Sequence, residues 1–303
     1  MKTVCQCISP YLTANVQTIV IPSSKPFAPK PMERDNSALD DGNLIVTQDE
    51  YADMVKAVPE IVPFLKRFIG GRELLYGESK WCLWLDGADE RLLNNPYLVP
   101  RFERCRDFRL SSTRESTKHA AKSPHLFAEW KPLDDHPMIL IPRISSEKRR
   151  YIPVDCVCGV VASDAVYVIR NAGLDDFGVL SSLMHMAWIK IAASRLESRY
   201  RYSRNVCYNA FPWPEMNNND RKRIAELSNN VLAERREIGK SLAEMYDYEM
   251  QESLLNAHLS LDFYIDRLYC PNGFKSDREC IECLLRIYDR RTCNAYMDVG
   301  RWF

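Results

Sequence analysis

The sequence predicts an α+β fold, a mixed α/β domain followed by a small C-terminal helical bundle. Three observations predict it. Short β-rich runs, Met138 to Ile144, Tyr151 to Val161 and Ala165 to Asn171, are separated by polar turns. Helix signals lie on both sides of them, so the middle of the chain mixes both periods. After Pro214 the strand signal stops, and apolar residues recur at helical spacing at Ile224, Leu227, Val231, Ile238, Leu242 and Met245.

Taken in order, residues 1–45 read as an extended arm. Pro10, Pro22, Pro26, Pro29 and Pro31 break any helix there, and Asp40-Asp41-Gly42 marks a turn. Thr47 opens a helix, with Glu50 three residues on to complete a capping box. Trp81 to Leu85 reads as a strand, and residues 97–121 as a basic helical stretch. The three β-rich runs are expected to pair locally in sequence. Phe177 to Trp188 reads as one apolar helix, and residues 220–246 as another with one buried stripe. Further helices are expected from about Ser253 to Leu268 and after Ser276, where Glu279 completes a second capping box. The domain reading is therefore an arm at 1–45, a mixed domain at 46–214 and a helical domain at 215–303.

The 303 residues carry 41 Lys and Arg against 41 Asp and Glu, so the formal net charge is zero. A dedicated nucleic-acid module usually has a basic total, but distribution matters more. Arg101, Arg104, Arg106, Arg109, Arg114, Lys118 and Lys122 crowd one segment that holds few acids. Residues 190–223 show a similar excess. A neutral total can hide a basic face. No apolar stretch is long enough to span a bilayer, and the N-terminus is too weakly apolar for a signal peptide. The eleven cysteines are scattered, which favours reduced thiols in the cytoplasm. Cys280 and Cys283 have a C-x-x-C spacing inside a helical pattern, without a second pair at finger spacing. Cys5/Cys7 and Cys156/Cys158 alternate as in strands. These are structural cysteines, and no metal site is expected.

Residues 177–214 are the most informative. The apolar run gives way to Arg195, Arg199, Tyr200, Arg201, Tyr202 and Arg204, then to Tyr208, Asn209, Phe211, Pro212, Trp213 and Pro214. Cations interleaved with aromatics suit a polyanion that also offers flat bases. The alternative is a helix end wrapping a core. The order FG-x-L-x-S-x-MH-x-x-W, RL-x-x-x-YRYS, YN-x-FPWP resembles the target-recognition region of the MmeI-like type II restriction–modification enzymes. Those enzymes are adenine-specific DNA methyltransferases. The likeness extends to PR-x-SSE-x-R-x-YIP at Pro142 to Pro153, SLA-x-MYD at Ser241 to Asp247, and M-x-x-x-L-x-x-AH-x-x-LD from Met250 to Asp262. It departs at Cys270, where the family usually has Gly or a polar residue.

The resemblance implies that residues 46–214 are a DNA target-recognition domain, that 215–303 are the family's helical C-terminal domain, and that 1–45 lead in from a catalytic domain. Its function would be sequence-specific recognition of double-stranded DNA for an adenine-specific methyltransferase. S-adenosylmethionine would belong to that catalytic domain, joined in cis or in trans, and no cofactor is expected here. No catalytic residue is assigned. Asn94-Asn95-Pro96-Tyr97 imitates the adenine-gripping loop, but Asn95 replaces its first proline, so it reads as a helix start. Two rivals stay open: a free-standing specificity subunit that recruits a separate methyltransferase chain, and an interaction or decoy protein that does not bind DNA.

The candidate DNA contacts form three sets. Arg143, Ser145, Ser146, Arg149 and Arg150 crowd a strand-to-turn junction, where Glu147 offers a competing ion-pair partner. Arg201, Tyr202, Ser203, Arg204, Asn205 and Asn209 form the second set, since Arg can read guanine and Asn adenine in the major groove. Arg109, Arg114 and Lys118 are backbone-contact candidates on a helix face. His185 is either a satisfied core histidine or a contact, and Phe211 and Trp213 read as core anchors.

Overall fold

Helix caps and strand partners together fix the architecture. The computed structural model describes residue 11, residues 18–133 and residues 135–299, with side chains to residue 293. Cys5/Cys7 and most of the arm before residue 18 lie outside the described residues. The chain runs through β1 (Glu33–Arg34), β2 (Ile45–Thr47), α1 (Gln48–Ala57), β3 (Leu65–Ile69), α2 (Gly71–Tyr76), β4 (Lys80–Leu83) and α3 (Glu90–Leu93). It continues through α4 (Val99–Leu110), α5 (Glu115–Ala120), β5 (Met138–Pro142), β6 (Ile144–Ser145), β7 (Asp155–Val157), β8 (Val161–Ala162) and β9 (Val166–Arg170). Then come α6 (Leu174–Leu180), α7 (Leu183–Ala192), β10 (Ser194–Leu196), β11 (Arg199–Arg201), α8 (Asn218–Ile238), α9 (Leu242–Met245), α10 (Glu252–Tyr269) and α11 (Asp277–Val299). The class is α+β with a helical C-terminal region, as the sequence predicts. None of the described helices is long and apolar enough to cross a membrane.

Several helices begin where their caps dictate. Thr47 and Glu50 form the expected capping box on α1. At α11 the Ser276 hydroxyl accepts from Glu279 N at 3.3 Å, but the Glu279 carboxylate reaches past it to Lys275 N at 2.8 Å. The single helix expected at 177–188 is two. The Ser182 hydroxyl accepts from His185 N at 3.3 Å and donates to Val179 O at 2.7 Å, ending α6 and starting α7. The stripe at 220–246 is also two helices. Gly239 sits at φ +63°, a left-handed C-cap, and Ser241 starts α9. The basic stretch at 97–121 divides into α4 and α5.

Among the described residues the strands form three sheets, ordered β1-β9-β5-β7, β2-β4-β3-β8 and β10-β11-β6. Local pairing holds within the first for β5, β7 and β9. It fails for β6, which pairs antiparallel with β11, and for β8, which pairs parallel with β3 through Phe68 and Val161. Such short strands carry too little alternation to name a partner.

The chain divides into two compact units, each discontinuous in sequence. One holds 34–140 and 156–168; its core gathers Leu44, Val46, Met54, Ile61, Leu83 and Phe102 around the sheet β2-β4-β3-β8. The other holds 1–33, 141–155 and 169–303, and contains the hairpin β10–β11 and the C-terminal helices. In the second unit α6 lies close against α8 at Gly178, where an added Cβ would overlap Ile224 and Ser228. Gly178→Ala should therefore destabilise by about 1–3 kcal/mol, despite alanine's better helix propensity. Urea unfolding checks it, and an unchanged midpoint would show that α8 yields freely.

Candidate nucleic-acid interface

The second unit brings the first two candidate sets together through one small sheet, with Ser145 and Arg201 in its strands and the others in the segments that flank them. β10 and β11 form a hairpin with the register Ser194↔Arg201, Arg195↔Tyr200 and Leu196↔Arg199, turning on Glu197-Ser198. Glu197 takes φ +58°, a left-handed conformation uncommon outside glycine. β11 then pairs with β6, setting Tyr200 opposite Ser145 and Arg201 opposite Ile144. Tyr202 N continues the pairing by donating to Arg143 O at 2.8 Å. Residues 55 apart in sequence thus become neighbours.

The same register divides their side chains. Paired residues share a face, and successive residues alternate. Ser145, Tyr200 and Arg195 lie on one face, with Ser145 and Tyr200 buried. Arg201, Ser194 and Ile144 lie on the other. The candidates are adjacent along the sheet without all pointing the same way. The Arg195 guanidinium stacks over the Tyr200 ring at 3.8 Å, a cation–π contact that holds the fork on the sheet. Glu147 lies in the turn after β6. Hydrogen bonds from its own backbone and from Ser198 keep its carboxyl below the usual range, with Lys148 and Arg195 nearby. The turn and the hairpin tip therefore meet.

Burial sorts the candidates. Arg150, Arg201 and Arg204 are exposed, and Arg143, Ser146, Ser203 and Asn205 are half-buried. The Arg149 guanidinium is buried and donates to Ser145 Oγ at 3.2 Å. Tyr202 is buried with its hydroxyl on His185, and Asn209 is buried with its amide donating to Ser23 O at 2.8 Å. These buried members brace the site instead of lining a surface. His185 is a core histidine with both ring nitrogens bonded, to Leu180 O at 2.8 Å and to the Tyr202 hydroxyl at 3.1 Å. Phe211 and Trp213 pack edge to face at 5.9 Å and are buried.

The third set lies in the other compact unit. Arg109 is fully buried, so it cannot be a backbone contact on a solvent face. Its fork donates instead to the carbonyls of Ala38, Leu39, Ala120, Ser123 and Leu126. Arg114 is exposed, and Lys118 pairs with Glu115 at 2.9 Å. Asn94 to Tyr97 joins α3 to α4, and Asn95 Oδ1 accepts from Tyr97 N at 2.9 Å, a helix lead-in.

Sequence reasoning left Arg195 and Arg199 out of the site. Both are exposed on the hairpin, and Arg199 pairs with Glu197 at 2.8 Å. The available signal was their alternation with Leu196 and Tyr200 about a two-residue turn. Chemically, the exposed arginines and hydroxyls offer hydrogen-bond donors suited to oxyanions. Among the described residues, no three of His, Cys, Asp or Glu gather where they could hold a metal.

Residues 14–215 match the MmeI target recognition domain, and residues 216–295 match the MmeI C-terminal domain. The chain belongs to the MmeI target-recognition family. The hairpin sheet falls within the MmeI recognition region, and α8, α9 and α10 within the MmeI C-terminal region. DNA methyltransferase A of Bacillus subtilis (strain 168) is 38% identical over 293 residues, which cover 94% of this chain and 33% of that protein. The structure of the type IIL restriction–modification enzyme MmeI in complex with DNA superposes with a TM-score of 0.89 at 36% identity, covering 95% of this chain and 39% of MmeI. The chain thus spans about a third of the length of the first relative and 39% of the second.

Proposed function

We propose that this chain is the DNA-reading part of an adenine-specific, S-adenosylmethionine-dependent DNA methyltransferase or restriction–modification enzyme acting in the cytoplasm. It grips double-stranded DNA, reads a short site and presents an adenine to a methyltransferase catalytic domain, supplied in cis or in trans. That domain holds the S-adenosylmethionine; the residues of this chain hold no cofactor and carry no catalytic step. The observation that carries the reading is the likeness, over 95% of the chain, to an enzyme described in complex with DNA. The exposed arginines of the hairpin sheet supply the chemistry. Arg150 and Arg201 position phosphates, with Ser203 beside them, and Arg204 reaches a base edge. Arg195 and Arg199 join this set.

Fluorescence anisotropy on duplex DNA tests it. Affinity should fall linearly on a log–log plot against salt, because each neutralised phosphate releases counterions. Arg201→Ala should weaken binding to all sequences and lower the salt slope by about 1. Arg204→Ala should relax one base position in a selected site library by about 1–3 kcal/mol. Absence of binding at low salt, or an affinity indifferent to salt, would favour the interaction or decoy reading.

A further inference from the structure

The segments that carry the family likeness outside the hairpin converge on one buried polar node in the second unit. The Tyr151 hydroxyl donates to Asp262 Oδ2 at 2.7 Å, and Leu183 N donates to Asp262 Oδ1 at 2.7 Å. The His258 ring stacks on the Tyr151 ring, with centroids 4.2 Å apart and planes at 23°. Tyr246 closes the far side. Its hydroxyl bonds His258 Nε2 at 2.7 Å and accepts from Arg235 Nε at 2.7 Å. Arg235 also donates to Val154 O at 2.7 Å, three residues beyond Tyr151. Tyr151, His258 and Tyr246 are fully buried, and Asp262 nearly so.

A buried carboxylate, imidazole and guanidinium are costly to desolvate, and an apolar core of the same volume would often be as stable. Geometry offers a reason for the polar arrangement. Tyr151 immediately follows the turn that bears Arg149 and Arg150, and exposed Arg150 lies with its Cζ 5.9 Å from the Tyr151 ring centroid. Two cations face the node, Arg235 within it and Arg150 from the turn. Burial, then the Arg235 charge and last Arg150, disfavour protonated His258, while Arg150 favours ionised Asp262 against the burial that raises its carboxyl. α10 thus grips the turn through one phenol.

We propose that Tyr151 and Asp262 are positioning residues for DNA binding, fixing the turn so that the Arg150 guanidinium meets a phosphate. The C-terminal helices then act as the mount of the recognition turn. This rests on the DNA-reading function proposed above. The hydroxyl can be removed with little loss of shape, because phenylalanine keeps the ring against His258.

The test is a double-mutant cycle on the full chain, read by anisotropy with duplex DNA at fixed low salt, alongside hydrogen exchange. Tyr151→Phe should weaken binding about 5- to 10-fold, the scale of one hydrogen bond, and Arg150→Ala by a similar factor. The double variant should lose no more than the larger single loss, because both remove the same contact. Amides of residues 146–150 should exchange faster in Tyr151→Phe. Tyr246→Phe removes an equally buried hydroxyl at the far end of the node. It should lower the melting temperature while leaving DNA affinity unchanged. Independent, multiplying losses from Tyr151→Phe and Arg150→Ala would overturn the assignment. So would equal losses from Tyr151→Phe and Tyr246→Phe, which would mean general loosening. A wild-type chain without DNA affinity would remove the DNA-reading function and this inference together, whereas binding with an additive cycle would remove the inference alone.

Discussion

Replacement of Arg109 by Met should destabilise the chain by about 3–5 kcal/mol, the scale for removing the charged partner from a buried network. The guanidinium is fully buried, and its donors are spent on five backbone carbonyls: Ala38 and Leu126 at 2.7 Å, Ala120 at 2.8 Å, Leu39 at 2.9 Å and Ser123 at 3.2 Å. Two come from the segment before β2, one from the last residue of α5 and two from the segment after it. The side chain thus pins both loops to the last turn of α4. Methionine fills similar volume but leaves buried acceptors unpaired. Burial already pulls the Arg109 pKa below the ordinary arginine value, so the fold bears a desolvation cost that these bonds offset. Arg109→Lys should recover little, since an ammonium cannot span a planar fork. Urea unfolding of both variants decides the matter. A loss below about 1 kcal/mol would show that the loops hold without the strut.

Arg109 also shows what the sequence can and cannot reveal. Its neighbours Arg104 and Arg106 are exposed and fit the solvated basic face that the local charge suggests. Nothing local separates Arg109 from them, because its partners lie 11 to 71 residues away. The Thr47–Glu50 box and the α8 and α10 stripes were legible because cap and stripe signals are confined to a few turns. The break at Ser181-Ser182 was hidden by apolar residues on either side of it. The pairing of β6 with β11 was not legible, since two- and three-residue strands lack a period. The site was half legible for the same reason. Residue type placed the cations near one another, but only the folded chain shows Tyr202 and Ser145 buried and Arg195 and Arg199 exposed.

The second large effect is a loss of stability in acid that traces to His185. Its ring is fully buried against Phe211, with centroids 4.9 Å apart. If Nδ1–H donates to Leu180 O, Nε2 is left to accept from the Tyr202 hydroxyl, which requires the neutral imidazole. Burial lowers its pKa to about 4. The unfolded chain takes up a proton near pH 6.5, where the folded chain refuses it. The contribution is therefore complete above pH 6.5 and is lost as the pH falls towards 4, by about 3 kcal/mol in all. His258, held well below its ordinary value by burial, acts in the same direction. Asp262 opposes both, because burial raises its carboxyl to about 7 and the folded chain then holds a proton that the unfolded chain releases. A bare pH curve would mix these groups with others, such as Asp266, raised by burial to about 6, and His125, lowered by burial. The difference between wild type and His185→Gln cancels the shared ones, since glutamine does not titrate. Wild type should lose about 2–3 kcal/mol relative to this variant between pH 7.5 and 4.5, measured by urea unfolding at each pH. A stability difference that stays constant over this range would mean that the ring accepts its proton within the fold.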